Sequence, residues 1–203
     1  MAATGRVGTG FSKPYVAVYS NTGGTISYTK GQVLARGVEV SIEPEAGDDN
    51  TFYADNVAAE VSPGIFTGGT VTLTVDGLLP AAESLIYGLP EPEPVTVDSA
   101  SVDVYAYGDA MDIPYCGIGF IARYQSDGVV SYVPIVLTKT RFTVNGTSAA
   151  TQEDSIDWQT QELSATLMRD DSSSHNWKKV GAGQTTEAAA EAVIKQLLGI
   201  TGT

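Results

Sequence analysis

The sequence predicts a mainly β chain, sandwich-like or barrel-like, organised as one domain over residues 1–203 with one short internal helix and one C-terminal helix. Three observations carry this. Apolar and polar residues alternate in runs along the whole chain, glycine-containing turn signals close those runs, and helical spacing is confined to two short stretches. Only 17% of the residues are charged, against roughly 25% in an average globular chain. Thr, Ser, Gly and Tyr must therefore cover much of the surface, as they do on twisted sheets.

Residues Met1 to Lys13 hold Gly5, Gly8 and Gly10 without an apolar run, so neither a secretory leader nor a lipid anchor is expected. Val38, Val40 and Ile42 alternate with Glu39, Ser41 and Glu43, which puts three aliphatics on one face of a strand and a wet acidic side on the other. After this strand comes a loop of about a dozen residues, Glu43 to Ala54, carrying Glu45, Gly47, Asp48, Asp49, Asn50, Phe52 and Tyr53. Such length is unusual inside a compact domain and marks a segment that has a task or is disordered. A further strand begins near Val57.

Val71, Leu73 and Val75 alternate with Thr70, Thr72 and Thr74, and Asp76-Gly77 closes the run. Pro80 to Tyr87 has Pro at the first helical position and Gly88 where a left-handed cap belongs, which predicts a helix of two turns. Leu89 to Pro94 alternates Pro with Glu and predicts an extended, solvated spacer. Tyr115–Tyr124 and Val129–Thr138 form a hairpin around Ser126-Asp127-Gly128. Ile156 to Met168 reads as another strand, with Ile156, Trp158 and Thr160 on one side. Glu187 to Leu198 is a helix whose stripe of Ala190, Val193, Ile194, Leu197 and Leu198 should lie on a sheet, with Glu191 and Lys195 paired on the other side.

Chemistry is sparse. Cys116 is the only thiol, which leaves no intrachain disulfide and no multi-thiolate zinc site, and it falls in a strand pattern where a small buried hydrophobe is expected. His175, the only imidazole, follows a polar turn. Gly117, Gly119 and Ala122 match G-x-G-x-x-A, yet the match continues a strand instead of opening a helix, so no dinucleotide site is expected. Carboxylates at Glu43, Glu45, Asp48 and Asp49, and at Asp109 and Asp112, lack the order of a calcium loop. Catalytic, cofactor-binding and metal-ligating residues are therefore all expected to be absent. The longest apolar stretch, Val133 to Leu137, falls far short of the ~20 residues of a membrane-crossing helix. A net charge of −13 opposes binding to phosphate backbones, which takes clustered Lys and Arg.

The order of features resembles a known family. An acidic hairpin loop precedes Phe66-Thr67-Gly68-Gly69-Thr70-Val71-Thr72-Leu73-Thr74-Val75-Asp76-Gly77-Leu78, then come a short helix, the hairpin around Gly117-Ile118-Gly119-Phe120, Asp157-Trp158-Gln159-Thr160, Glu162-Leu163-Ser164-Ala165-Thr166 and a terminal helix rich in Ala and Glu. From about Val7 to Leu198 the chain resembles the major tail proteins, or tail tube proteins, of long-tailed, non-contractile bacteriophages and prophages.

The resemblance implies the phage tail-tube fold, a β-sandwich flanked by a helix. Six copies would close into a ring, and rings would stack into a hollow virion tail assembled in the host cytoplasm. Double-stranded DNA would pass through it without specific binding, and a tape-measure protein, a tail terminator and tail-tip proteins would be partners. The family offers no catalytic residues to carry over. Its hairpin loop, here Glu43 to Ala54, reaches neighbouring subunits, and Glu39, Ser41 and Glu43 are the candidates to face the lumen. The Pro-Glu spacer has no place in the family pattern. A monomeric β-sandwich that binds carbohydrate or a cell surface is the competing reading, since it too would be Tyr-rich, acidic and poor in thiols.

Overall fold

The computed structural model describes residues 5–146, 150–151 and 158–201. It is mainly β with two helices, one internal and one C-terminal. Eight strands form one sheet: β1 (Val7–Thr22), β2 (Thr25–Val33), β3 (Gly37–Ala46), β6 (Phe66–Val75), β9 (Cys116–Ser126), β10 (Val129–Thr143), β11 (Gln161–Met168) and β12 (Lys178–Val180). Two separate two-stranded hairpins, β4 (Asn50–Ala54) with β5 (Val57–Ser62) and β7 (Glu93–Val97) with β8 (Ala100–Val104), complete the strands. The helices are α1 (Pro80–Tyr87) and α2 (Glu187–Leu197).

Neighbouring strands follow the order β2-β1-β9-β10-β11-β6-β3. The first part of β10 pairs with β9 and β12, its last residues pair with β11, and the register shifts between Leu137 and Thr140. A bulge bends a strand and sharpens its twist. The sheet thus turns back on itself across β10, and its two halves enclose one core. Val16, Ile118, Phe120, Val133 and Leu137 from one half pack with Val71, Leu73, Leu163 and Leu167 from the other, while Ala82, Ile86 and Tyr87 of α1 join the same cluster. Helix α1 begins with Pro80 and ends on Gly88 at φ 59°, as its terminal signals predict.

Four hairpins turn through two residues of positive φ: Gly23-Gly24, Asp55-Asn56, Asp98-Ser99 and Asp127-Gly128. Two such residues in sequence are the turn whose twist matches that of the flanking strands.

The outer face of the β1-β9-β10 half carries a second core. Ala190, Ile194 and Leu198 pack there on Tyr15, Ala17, Ile121 and Val136, so the terminal helix does lie on a sheet. Its N-cap is Thr186, whose side chain accepts from the Ala189 N–H at 3.2 Å. The glycines of the nucleotide-like pattern are the seat for this helix. A Cβ on Gly119 would stand 2.4 Å from Ile194 Cγ2, and one on Gly117 would stand 2.5 Å from the Tyr28 ring and 2.9 Å from Leu198 Cδ2. Gly119→Ala is expected to lift α2 and cost about 1–3 kcal/mol, a fall of several degrees in Tm that thermal denaturation would read.

Glu191 does not sit on the solvent side of α2, as the helical wheel suggests. Its carboxylate accepts from Tyr15 Oη at 2.6 Å, pairs with Lys195 at 2.9 Å and also pairs with Lys13. Lys13 reaches it from an irregularity between Ser12 and Tyr15, with φ 51°. The Lys13 and Tyr15 hydrogen bonds hold the Glu191 carboxyl at about 2, below its ordinary 4.5. A depressed carboxyl contributes stability above the unfolded value and loses it as the pH falls through the folded one. Glu191→Gln is therefore expected to melt roughly 4–8 °C below the wild type at pH 7, for about 2 kcal/mol of charge-assisted bonding. That gap should close between pH 4.5 and pH 2 in thermal melts.

Several expectations change at this level. Val38 does not share a face with Val40 and Ile42. The register shifts between Gly37 and Glu39, and Val38 is pushed out to 55% exposure. The segment Glu43 to Ala54 is not one loop: residues through Ala46 finish β3, Gly47 to Asp49 form a neck, and Asn50 to Ala54 are β4. The Pro-Glu stretch is not a plain spacer, because Glu93 and Pro94 open β7. The strand expected from Ile156 starts at Gln161, and Trp158 is 83% exposed outside it. Ile156 and Asp157 lie outside the described residues.

Candidate functional site

The face opposite the main core on β3, β6 and β11 is polar in every row. Glu39 stands across from Thr74 and Glu162, Ser41 from Thr72 and Ser164, and Glu43 from Thr70 and Thr166. The alternate residues, Val40 with Leu73 and Leu163, and Ile42 with Val71 and Ala165, turn into the core. Period-two alternation on three adjacent strands thus makes one side apolar and the other a carpet of hydroxyls edged by carboxylates. Glu39, Ser41 and Glu43 are all exposed on that side. Among the described residues no helix covers this face; α2 packs on the other half of the sheet.

Among the described residues, both borders of this polar face are unpaired. Strand β3 ends the sheet, with β6 as its neighbour. At the other border, the β9 ladder ends at the Cys116 and Thr140 pair, so Arg141, Phe142 and Thr143 are paired only on their β11 side. Unpaired strand borders offer rows of N–H and C=O groups to another chain. Their charges differ in sign: β3 carries Glu39, Glu43 and Glu45, and the end of β10 carries Lys139 and Arg141. Lys139 is held by Asp171 at 2.7 Å, and Arg141 is exposed. No local pattern places Arg141 or Glu162 on this face, because their membership depends on which strands become neighbours.

The hairpin of β4 and β5 projects from the β3 and β6 ends. Its neck is tight: Gly47 N–H donates to the Ile65 carbonyl at 2.9 Å, Gly64 N–H donates to Asp49 Oδ1 at 2.9 Å, and a Cβ on Gly64 would collide with the Gly47 carbonyl. Beyond the neck, Phe52, Tyr53, Val57 and Val61 are 53–66% exposed. Asn50 and Tyr53 are exposed too, Asp48 and Asp49 lie at the neck, and Glu45 is still within β3, opposite Gly68. The candidate contact residues are thus divided among a strand end, a neck and an arm.

Cys116 is fully buried, and burial pushes its thiol up to about 12, far from a reactive thiolate. His175 is exposed in a turn built around Asp170, whose Oδ1 accepts from Ser172 N–H, Ser172 Oγ and Asn176 N–H at 3.2, 2.6 and 3.0 Å. Among the described residues, no group of three or more His, Cys, Asp or Glu converges on a point, and no helix is long and apolar enough to cross a membrane. The feature that stands out is the polar face of β3, β6 and β11 with its two bordering strands, in a mainly β chain with two helices. No family model matches the chain, and no curated protein matches it in sequence.

Proposed function

We propose that this chain is a structural virion protein of the tail-tube class. Six copies close into a ring, rings stack into the tail tube of a long-tailed, non-contractile phage or prophage, and the polar face of β3, β6 and β11 lines the conduit for the genome. The observation that carries the reading is that face itself, rows of carboxylates and hydroxyls with the bulged Val38 exposed at one end, uncovered and bordered among the described residues by two unpaired strands of opposite charge. A border meeting a different border of the next copy is a heterologous contact, which closes a ring when the rotation allows it. Closure also removes the strand edges that a free subunit exposes.

The conduit reading follows from charge. Six copies at −13 each carry a formal −78, and Glu39, Glu43 and Glu162 stand on the proposed lumen side. A wall of one sign repels phosphate within about one Debye length, ~8 Å at physiological salt. DNA then slides past hydroxyls and carboxylates without binding. On the same reading a tape-measure protein sets the length, and terminator and tip proteins close the two ends.

Sedimentation of the concentrated native protein together with negative-stain microscopy tests this. Hollow rings or tubes are expected, and a species that stays monomeric at every concentration overturns it. The competing binding-module reading expects that monomer. It would use exposed aromatics as a platform, and Phe52, Tyr53, Tyr107, Tyr115 and Trp158 are exposed.

A further inference from the structure

The hairpin of β7 and β8 is two-faced. Glu93 and Val104, Val95 and Val102, and Val97 and Ala100 are cross-strand pairs on one side, while Pro94 with Asp103 and Thr96 with Ser101 occupy the other. Every residue of both strands is exposed, and the four valines on the first side are 45–54% accessible. Neither core cluster includes a residue of this hairpin. An isolated two-stranded hairpin is marginal in water, so an uncovered valine face needs a partner.

The same chain carries a surface that fits it. The first residues of β1, the end of β9 and the start of β10 form a three-stranded tongue. On one side Val7, Gln125 and Val130 stand in one row, with Gly10, Arg123 and Tyr132 in the next. Val7 is 68% exposed and Arg123 is exposed, whereas the α2 contacts reach only to Ile121 and Tyr132. Charge is complementary. Residues 91–104 hold Glu91, Glu93, Asp98 and Asp103 with no cation, and the tongue holds Arg6 and Arg123 against Asp127 alone.

The two surfaces stand at opposite ends of β9. The hairpin's root is tied where the Asp112 N–H donates to the Gly88 carbonyl at 3.0 Å, just before β9 starts at Cys116, and the tongue is where β9 ends at Ser126. At about 3.3 Å per residue the strand separates them by roughly 33 Å. A surface repeated at the far end of each copy belongs to an end-to-end contact.

Building on the tube reading above, we propose that the valine face of the β7–β8 hairpin docks on the Val7, Arg123 and Val130 face of a second copy, Glu93 against Arg123, and joins subunits of successive rings. The double variant Val7→Cys/Val102→Cys tests the geometry, since the native Cys116 is buried and stays out of the reaction. Mild oxidation of assembled protein should give a ladder at multiples of 21.2 kDa on a non-reducing gel. Glu93→Arg and Arg123→Glu should each raise the concentration needed for tubes at least tenfold while circular dichroism stays native, and the combined variant should restore it. Tubes without the ladder, or single charge variants that polymerise like the wild type, overturn this contact and leave the tube reading standing. A wild type that never assembles overturns both.

Discussion

Excising Asn50 to Ser62 and closing the neck with Gly-Gly is expected to leave a folded monomer that no longer polymerises. The neck bonds of Gly47 with Ile65 and of Asp49 with Gly64 lie outside the excised segment, and no core residue lies within it. The monomer should therefore melt within about 1 kcal/mol of the wild type, as surface changes away from packed features do. Assembly is another matter. Phe52, Tyr53, Val57 and Val61 are more than half exposed in the free chain, and covering them at roughly 1 kcal/mol each contributes on the order of 4 kcal/mol per contact. That is about a thousandfold in the association constant. Sedimentation velocity would show the excised variant as a single slow species at concentrations where the wild type forms tubes. Wild-type tubes from the excised chain would show that this arm has no part in stacking.

Changing both Glu39 and Glu43 to lysine is expected to leave tubes intact and make them hold DNA. Both side chains are exposed, opposite Thr74 and Thr70, so lysine fits without disturbing the core. Around a ring of six, the formal charge moves from −78 to −54, with the whole change on the proposed lumen wall. Twelve ammonium groups facing phosphate give a binding term that falls steeply with salt. Genome ejection should slow on the order of tenfold or more at low salt and recover as salt screens the wall. Ejection rates equal to the wild type's at low salt would count against an inward-facing β3.

Local chemistry made much of the secondary structure legible. Pro80 and Gly88 bracket α1 because the fixed φ of proline suits the first helical turn and glycine accepts the left-handed φ of 59° that ends the helix. The alternation in β6 and the Asp127-Gly128 turn are complete within a few residues. The same kind of signal was present but masked elsewhere. Val95, Val97, Val102 and Val104 alternate around Asp98-Ser99 as a hairpin should, yet the three prolines just before them read as a spacer. Strand β1 begins among glycines, where periodicity is weak, and is recognisable only by its neighbour β9.

The sequence by itself determined that this is a thiol-poor, acidic, mainly β chain with two capped helices, because alternation and capping are properties of neighbours along the chain. Tertiary structure alone decided which side of each strand stays wet. The bend of β10 and the seating of α2 on Gly117 and Gly119 cover one outer face and leave the Glu39, Ser41 and Glu43 face bare among the described residues. It also drew Glu191 inward to Lys13 and Tyr15, and it set Arg141 at the border opposite β3. Those placements arise from contacts between residues far apart in the chain, which no local pattern encodes.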